Sequence, residues 1–351
     1  MKVQKLRSYT YVRGGAVMKR SFGKCKDREV FLYTLENGNI RFSVTDYGAS
    51  LVSLKVLSLE RDVVEGYDCV EDYMHHDTYL GASIGRTANR IEKGRFTLNG
   101  KEYHIPINNN GNANHGGIHG FDQKIFETEV QKDRIIFSYV SEDGEEGYPG
   151  TLHVTVTYRL LDHGISIISS GTAEADTLFA YTNHSYFNLD ESEDAMDHEL
   201  KIFTDRYALL DETCLTLDQM VPVNGTPFDF TVSKPLGRDI DQDDIQLKYG
   251  AGYDHHYPVD GEGMRTMAVL KGKDLIMTFS SDFPGFHLYT ANWLNGAAGK
   301  KGHVYPRRSA VCLEAEYLPN AINYPDVTPK PIVKANETLT HEIRYEFSIK
   351  E

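Results

Sequence analysis

The sequence predicts an all-β protein, a single large domain of antiparallel strands stacked as a sandwich with few and short helices. Three observations lead there. Apolar side chains recur at every second residue, and β-branched and aromatic residues fill the runs that show this period. Glycine-, asparagine- and aspartate-rich turns separate those runs. Strand-like segments follow one another at short spacing from about residue 28 to residue 348, with no βαβ rhythm, repeat or linker between two cores.

The elements follow in chain order. Residues 1–20 are basic but hold no apolar stretch of the kind a secretion signal needs. They are set aside as a flexible N-terminal extension, with Met18 reading like a natural start, which leaves 21–351 as the folded domain. In 40–45 the apolar residues Ile40, Phe42 and Val44 fall on one face of a strand. Residues 127–130 and 135–139 form two further strands. Residues 152–160 alternate over nine positions, break at Asp162-His163-Gly164, and resume at 165–167 as the return strand of a hairpin. Residues 275–279, 286–289 and 342–347 complete the strand-like runs. Helical signals are confined to 67–73 and 240–245, a turn or two each.

Composition narrows the partners. There are 51 acidic against 37 basic residues, a formal net charge of −14. Such a surface repels phosphate backbones and anionic headgroups, so no nucleic acid and no membrane is expected as a partner, and a neutral small molecule is easier to admit than an anionic one. Cys25, Cys69, Cys214 and Cys312 lie far apart, without a CxxC pair, and read as reduced thiols of a cytoplasmic protein. No apolar run approaches the roughly 18 residues of a membrane span.

Five segments set polar residues beside glycine and aromatics in apolar surroundings: Gly85-Arg86-Thr87-Ala88-Asn89-Arg90-Ile91, His115-Gly116-Gly117, Thr182-Asn183-His184-Ser185-Tyr186-Phe187-Asn188-Leu189, Gly252-Tyr253-Asp254-His255-His256 and Cys312-Leu313-Glu314-Ala315-Glu316. Singly, each has a plain structural explanation. His115 suits a turn, Asn183 and His184 suit a satisfied buried polar pair, Glu314 can end a strand, and Arg90 can make an ion pair. The doublets His75/His76 and His255/His256 lack the spacing of zinc ligands, so no metal is expected. If 311–316 is extended, Cys312, Glu314 and Glu316 share the face opposite Val311 and Leu313.

Together and in this order, the segments resemble the galactose mutarotase (aldose 1-epimerase) family, through NRI, HGG, TNHSYFNL, YDH and LE. Asp143-Gly144-Glu145-Glu146-Gly147-Tyr148-Pro149-Gly150, Gly225-Thr226-Pro227-Phe228-Asp229 and Val304-Tyr305-Pro306 extend the likeness to nearly the whole of 21–349. The resemblance implies a β-supersandwich and an enzyme that opens and recloses a cyclic hemiacetal, exchanging α and β anomers of a free hexose such as galactose or glucose. It implies Glu314 as the base at O1, His184 as the acid at O5, and His115 as a second histidine beside the reacting oxygens. Asn89, Arg90 and Asp254 match positions that bind sugar hydroxyls. His287 stands at a sugar-contacting position where Gln is common. One carboxylate and one imidazolium suffice, with no cofactor, and nearby carboxylates are expected to keep His184 protonated. A monomer or a homodimer is expected.

Departures from the family pattern concern the substrate more than the reaction. Asn114 precedes HGG where an apolar residue is frequent, and Leu318 and Asn320 replace Trp and Asp. Glu316 replaces Gln; it either lies close to Glu314 as a second carboxylate or points into solvent. Two other readings use the same fold. A hexose-6-phosphate 1-epimerase would need a cationic cluster, for which Arg86, Arg90 and Arg307-Arg308 are available. A non-catalytic sugar-binding protein would need only Asn89, Arg90, Asp254 and aromatic walls.

Overall fold

The computed structural model describes residues 9–12, 15–75 and 78–350. Successive side chains of a strand point to opposite faces, so segments with every second residue apolar bury one face against another sheet. The first sheet is a six-stranded antiparallel meander of Tyr9–Val12, Gly15–Cys25, Arg28–Glu36, Ile40–Thr45, Ser50–Val56 and Arg61–Asp62. The boundary expected at residue 20 falls inside its second strand, where Met18, Lys19 and Arg20 pair with Thr34, Tyr33 and Leu32. Residues 1–8 and 13–14 of the expected extension lie outside the described residues.

A nine-stranded sheet packs against this meander. The hairpin read at 152–167 supplies its third and fourth strands: Leu152–Leu161 pairs with Gly164–Ala173 across Asp162-His163. The last strand, Thr338–Ile349, lies between Gly164–Ala173 and Leu275–Ser281 and so joins the middle of the chain to its end. That seam requires Gly164, because a Cβ there would stand 2.1 Å from the Tyr345 carbonyl oxygen. Phe42, Leu51 and Leu54 of the meander meet Phe137, Val154, Val156, Ile165 and Ile167 in one core. Each such side chain contributes about 1.5–3 kcal/mol on full burial.

The helices are Val70–His75 and Ile245–Gly250. The second begins where the segment expected at 240–245 ends. Asp244 caps it by accepting from the Gln246 amide, and an N-cap fixes where a short helix starts. His76 of the His75/His76 doublet lies outside the described residues. No helix among the described residues is long and apolar enough to cross a membrane.

The sheet that carries the site has four strands: Tyr186–Phe187, Val311–Glu316, Gly285–Tyr289 and Asp254–Pro258. Phe187, Val311, Leu313, Ala315, Phe286, Leu288 and Tyr257 point from it into the main core beside Phe279 and Tyr345. The opposite face is polar yet buried.

Candidate active site

Ladder register sets the polar face. His256 pairs with His287, and His287 with Glu314; Asp254 pairs with Tyr289, and Tyr289 with Cys312; Pro258 pairs with Gly285, and Gly285 with Glu316. Paired residues share a face and neighbours along a strand alternate, so the nine form a three-by-three grid on one side of the sheet. Glu314 occupies the middle of one edge. Glu316 does not point into solvent: it is 1% exposed, beneath the same face.

A cleft of about 340 Å³ opens over this grid, and its lining includes Glu314, His184, His115, Asn89, Arg90, Asp254 and His287. The structure thus brings together every residue expected at the site from six separate segments.

His184 comes from Thr182–His184, which pairs with Ala82–Ile84. Asn183, on its other face, donates to the Gly81 carbonyl and the Tyr158 hydroxyl and is a satisfied structural group. The His184 Nε2 lies 3.6 Å from Glu314 Oε2, and its Nδ1 lies 3.6 Å from Cys312 Sγ. Tyr186 stacks on the ring at 5.1 Å between centroids, and Tyr289 meets it edge-on at 6.0 Å. His115 is 5.4 Å away, centroid to centroid, with Tyr79 against both histidines.

Backbone strain positions the loop groups. Asn89 and His115 both have φ in the left-handed region, at 57° and 50°. The Asn89 amide donates to His115 Nδ1 at 3.2 Å, which leaves Nε2 as that ring's N–H. Asn89 Oδ1 accepts from the Arg90 amide, and Arg90 Nε donates to Asn109 Oδ1. Gly116 keeps the His115 turn closed: its φ is +91°, and a Cβ would stand 2.0 Å from the Gly85 carbonyl oxygen. Gly116→Ala is therefore expected to displace His115 and lower kcat/KM about 10²-fold while the fold persists, as steady-state rates beside a circular dichroism spectrum will show.

Burial governs the charge state. Desolvation by the surrounding rings pulls the His184 pKa down to about 3, and the nearby Asp254 does not offset it. The expectation of a protonated His184 is thus corrected: burial favours the neutral imidazole. Burial, with the negative charge of Asp254 added, holds Glu314 well above the usual carboxylate range. His115 is likewise pushed well below the usual imidazole value by burial and by His184. Asp254 behaves oppositely. Burial disfavours its ionisation, but the hydrogen bond from His287 Nε2 at 2.7 Å and the nearby Arg90 guanidinium bring its pKa below normal.

Arg86 and Arg307-Arg308, the cations available for a phosphate, are spent elsewhere. Arg86 is 2% exposed and donates to Ser141, Pro149, Gly150, Thr177 and Glu142. Arg307 donates to the Ala251 carbonyl, and Arg308 pairs with Asp241. Among the described residues, Arg90 is the only Lys or Arg in the cleft lining. One ligand atom each of His184, Cys312 and Glu314 lies within 4.8 Å of the others, the group among the described residues able to hold a metal ion.

Residues that sequence reasoning left out are mostly walls. Tyr79, Asn109, Asn110, Cys214 and Trp293 line the cleft from loops whose spacing gives no signal. Tyr186 and Cys312 sat inside the motifs already read, and alternation marks Cys312 as facing the same way as Glu314.

A buried imidazole–carboxyl pair on the polar face of an antiparallel β-sandwich, under a cleft lined by amides, a guanidinium and a carboxylate, defines an acid–base enzyme for a small polyhydroxylated molecule. The aldose 1-epimerase family profile matches residues 32–346. The chain is 36% identical over 326 residues to galactose mutarotase of Rattus norvegicus and 37% identical over 329 residues to that of Homo sapiens, covering 90% of this chain and 94% of each relative. It is 34% identical over 329 residues to aldose 1-epimerase of Escherichia coli K12, with the same coverage. The crystal structure of galactose 1-epimerase from Lactobacillus acidophilus superposes with a TM-score of 0.85 at 25% identity, covering 96% of this chain and all of that one. An aldose epimerase homologue from C. elegans gives 0.83 at 25% identity, covering 89% and 97%. The chain belongs to the aldose 1-epimerase family and is an isomerase.

Proposed function

We propose that the chain interconverts the α and β anomers of a free hexose, galactose or glucose, with Glu314 and His184 as its proton-transfer pair. The observation that carries this is their placement: two groups 3.6 Å apart, both lining one cleft. Opening a hemiacetal removes the O1 proton, forms the C1=O1 bond, breaks C1–O5 and delivers a proton to O5. Rotation about C1–C2 and the reverse steps close the ring on the other face.

The pair holds the one proton this cycle requires. Burial favours uncharged partners, raising the Glu314 pKa and lowering that of His184, and so draws the proton toward Glu314. Opening proceeds once that proton sits on His184, which leaves Glu314 a carboxylate to take the O1 proton. His184 gives its proton to O5, and closure restores both. Acid–base catalysis of this kind contributes about 10²–10⁴-fold for each group, or about 3–5 kcal/mol of barrier.

Asn89, Arg90, Asp254 and His287 surround the pair and bind the remaining hydroxyls, with His115 Nε2–H directed toward the reacting oxygens. The four cysteines are free thiols, in keeping with a cytoplasmic monomer or homodimer that needs no second macromolecule. Against a sugar-phosphate substrate stands the single cation of the cleft, beside Asp254 and Glu314. Exchange spectroscopy by NMR on anomeric mixtures is expected to give at least about ten-fold higher kcat/KM for glucose than for glucose 6-phosphate, the factor one unpaired anion costs at about 1.4 kcal/mol. Faster exchange of the phosphate would overturn the free-sugar assignment.

A further inference from the structure

Two glutamates separated by one residue share the buried face, and the reaction uses one. Glu316 Oε1 lies 3.4 Å from His256 Nδ1 and 3.5 Å from His287 Nδ1. His287 Nε2 donates to Asp254 Oδ1 at 2.7 Å, and its Nδ1 receives the Asn89 amide N–H at 3.2 Å. That Nδ1 is consequently a lone-pair acceptor. His256 is held neutral by burial, its pKa near 3, so its ring can also accept at Nδ1. A carboxylate oxygen facing the lone pair of His287 Nδ1 would be repelled by it, whereas a carboxyl group can turn its one O–H toward that nitrogen. Gly285 permits the approach, because a Cβ there would stand 2.6 Å from His256 Nε2.

We propose that Glu316 works as a neutral carboxylic acid, a positioning residue whose O–H, with the Asn89 amide, holds His287 in the Nε2–H tautomer that orients Asp254 for the sugar. The inference rests on Asp254 and His287 being sugar ligands. Glu316 takes no part in proton transfer to O1 or O5. Charged and titratable groups face Glu316 from every element packed against it. Glu314 faces it from its own strand, His287 and His256 from the two adjoining ladder strands, Asp254 beyond them, and Asn89 and Arg90 from the loop above. Burial, with the negative charges of Glu314 and Asp254, raises its pKa well above normal; the Asn89 hydrogen bond and Arg90 oppose this without cancelling it.

The two glutamates should therefore separate cleanly on substitution. Glu316→Gln keeps a donor in the same place and is expected to hold both kcat and KM for galactose within about two-fold of wild type. It also abolishes the rise in KM that ionisation of Glu316 produces as the pH is raised. Glu316→Leu removes the donor and is expected to raise KM about ten-fold with kcat held within about three-fold. Nitrogen-15 spectra of the histidines in the ligand-free protein provide a readout independent of turnover. They should show His287 with a hydrogen on Nε2 alone in wild type and Glu316→Gln, and a tautomer mixture in Glu316→Leu. A His287 ring protonated on both nitrogens in the wild type would overturn the proposal, as would a Glu316→Gln enzyme that loses kcat. A wild-type protein without epimerase activity but with the expected tautomer would instead refute the functional reading and leave the Glu316 assignment standing. If Glu316→Leu does not fold, Glu316→Gln and the wild-type spectra decide.

Discussion

Glu314→Gln is expected to lower kcat for anomer exchange by about 10²–10⁴-fold, with KM changed by no more than a few-fold. The side chain is 3% exposed on the cleft floor, so glutamine fills the same volume and keeps the ladder contacts with His287. What disappears is the only group placed to take the O1 proton as a carboxylate. A group acting only in the transition state changes kcat and kcat/KM together and leaves KM nearly constant. Burial and Asp254 raise the Glu314 pKa well above normal and so penalise its charged form, which glutamine cannot take, so stability is expected to hold or rise slightly. A drop in KM-based affinity with kcat intact would mean that Glu314 only binds sugar. Steady-state rates at several concentrations, beside urea melts, distinguish these results.

Arg86→Met is expected to be the most damaging structural substitution near the site, costing about 3–5 kcal/mol of unfolding free energy. Its guanidinium donates through Nε and both terminal nitrogens to the Ser141 and Thr177 hydroxyls and to the carbonyls of Ser141, Glu142, Pro149 and Gly150, at 2.7–3.1 Å. Methionine has similar length and leaves those buried acceptors without donors, at about 1–3 kcal/mol for each that stays unpaired. Lysine offers three donors on a point charge rather than a fixed fork, so Arg86→Lys is expected to recover only part of the loss. The loop Arg86 anchors leads into Asn89 and Arg90, so the surviving folded protein should also bind sugar less tightly. Urea denaturation midpoints for the three proteins check the first claim, and a midpoint for Arg86→Met equal to wild type would remove it.

Most of the β architecture is written in the alternation. The runs at 40–45, 127–130, 152–160, 165–167 and 275–279 each fall within strands, because a period of two leaves a half-buried segment no other regular structure. The same rule placed Cys312, Glu314 and Glu316 on one face before any contact was known. The second helix was misplaced because its start depends on Asp244, one capping residue among several acidic neighbours. Sequence alone could not decide Glu316 between pocket and solvent, since alternation specifies a face without saying what covers that face.

Charge states were least legible. His184 was expected to be protonated because carboxylates lie near it in the motifs. Its neutrality comes from Tyr79, Tyr186 and Tyr289, three rings delivered by distant segments to one imidazole. Arg86 likewise looked available for a phosphate, and only the convergence of the 141–150 loop and Thr177 on its side chain shows otherwise. The motif order nonetheless marked Glu314, His184, His115, Asn89, Arg90 and Asp254, which local spacing by itself did not, while Asn109 and Asn110 carried no signal.

The central claim is that this cleft accelerates hemiacetal opening, and polarimetry tests it most directly. Freshly dissolved α-D-galactose and α-D-glucose drift to their equilibrium rotation at a spontaneous rate that is readily followed at neutral pH. Addition of the wild-type protein is expected to shorten that drift in proportion to enzyme concentration, and Glu314→Gln is expected to leave it near the spontaneous rate. A wild-type trace that coincides with the uncatalysed one for both sugars would contradict the account.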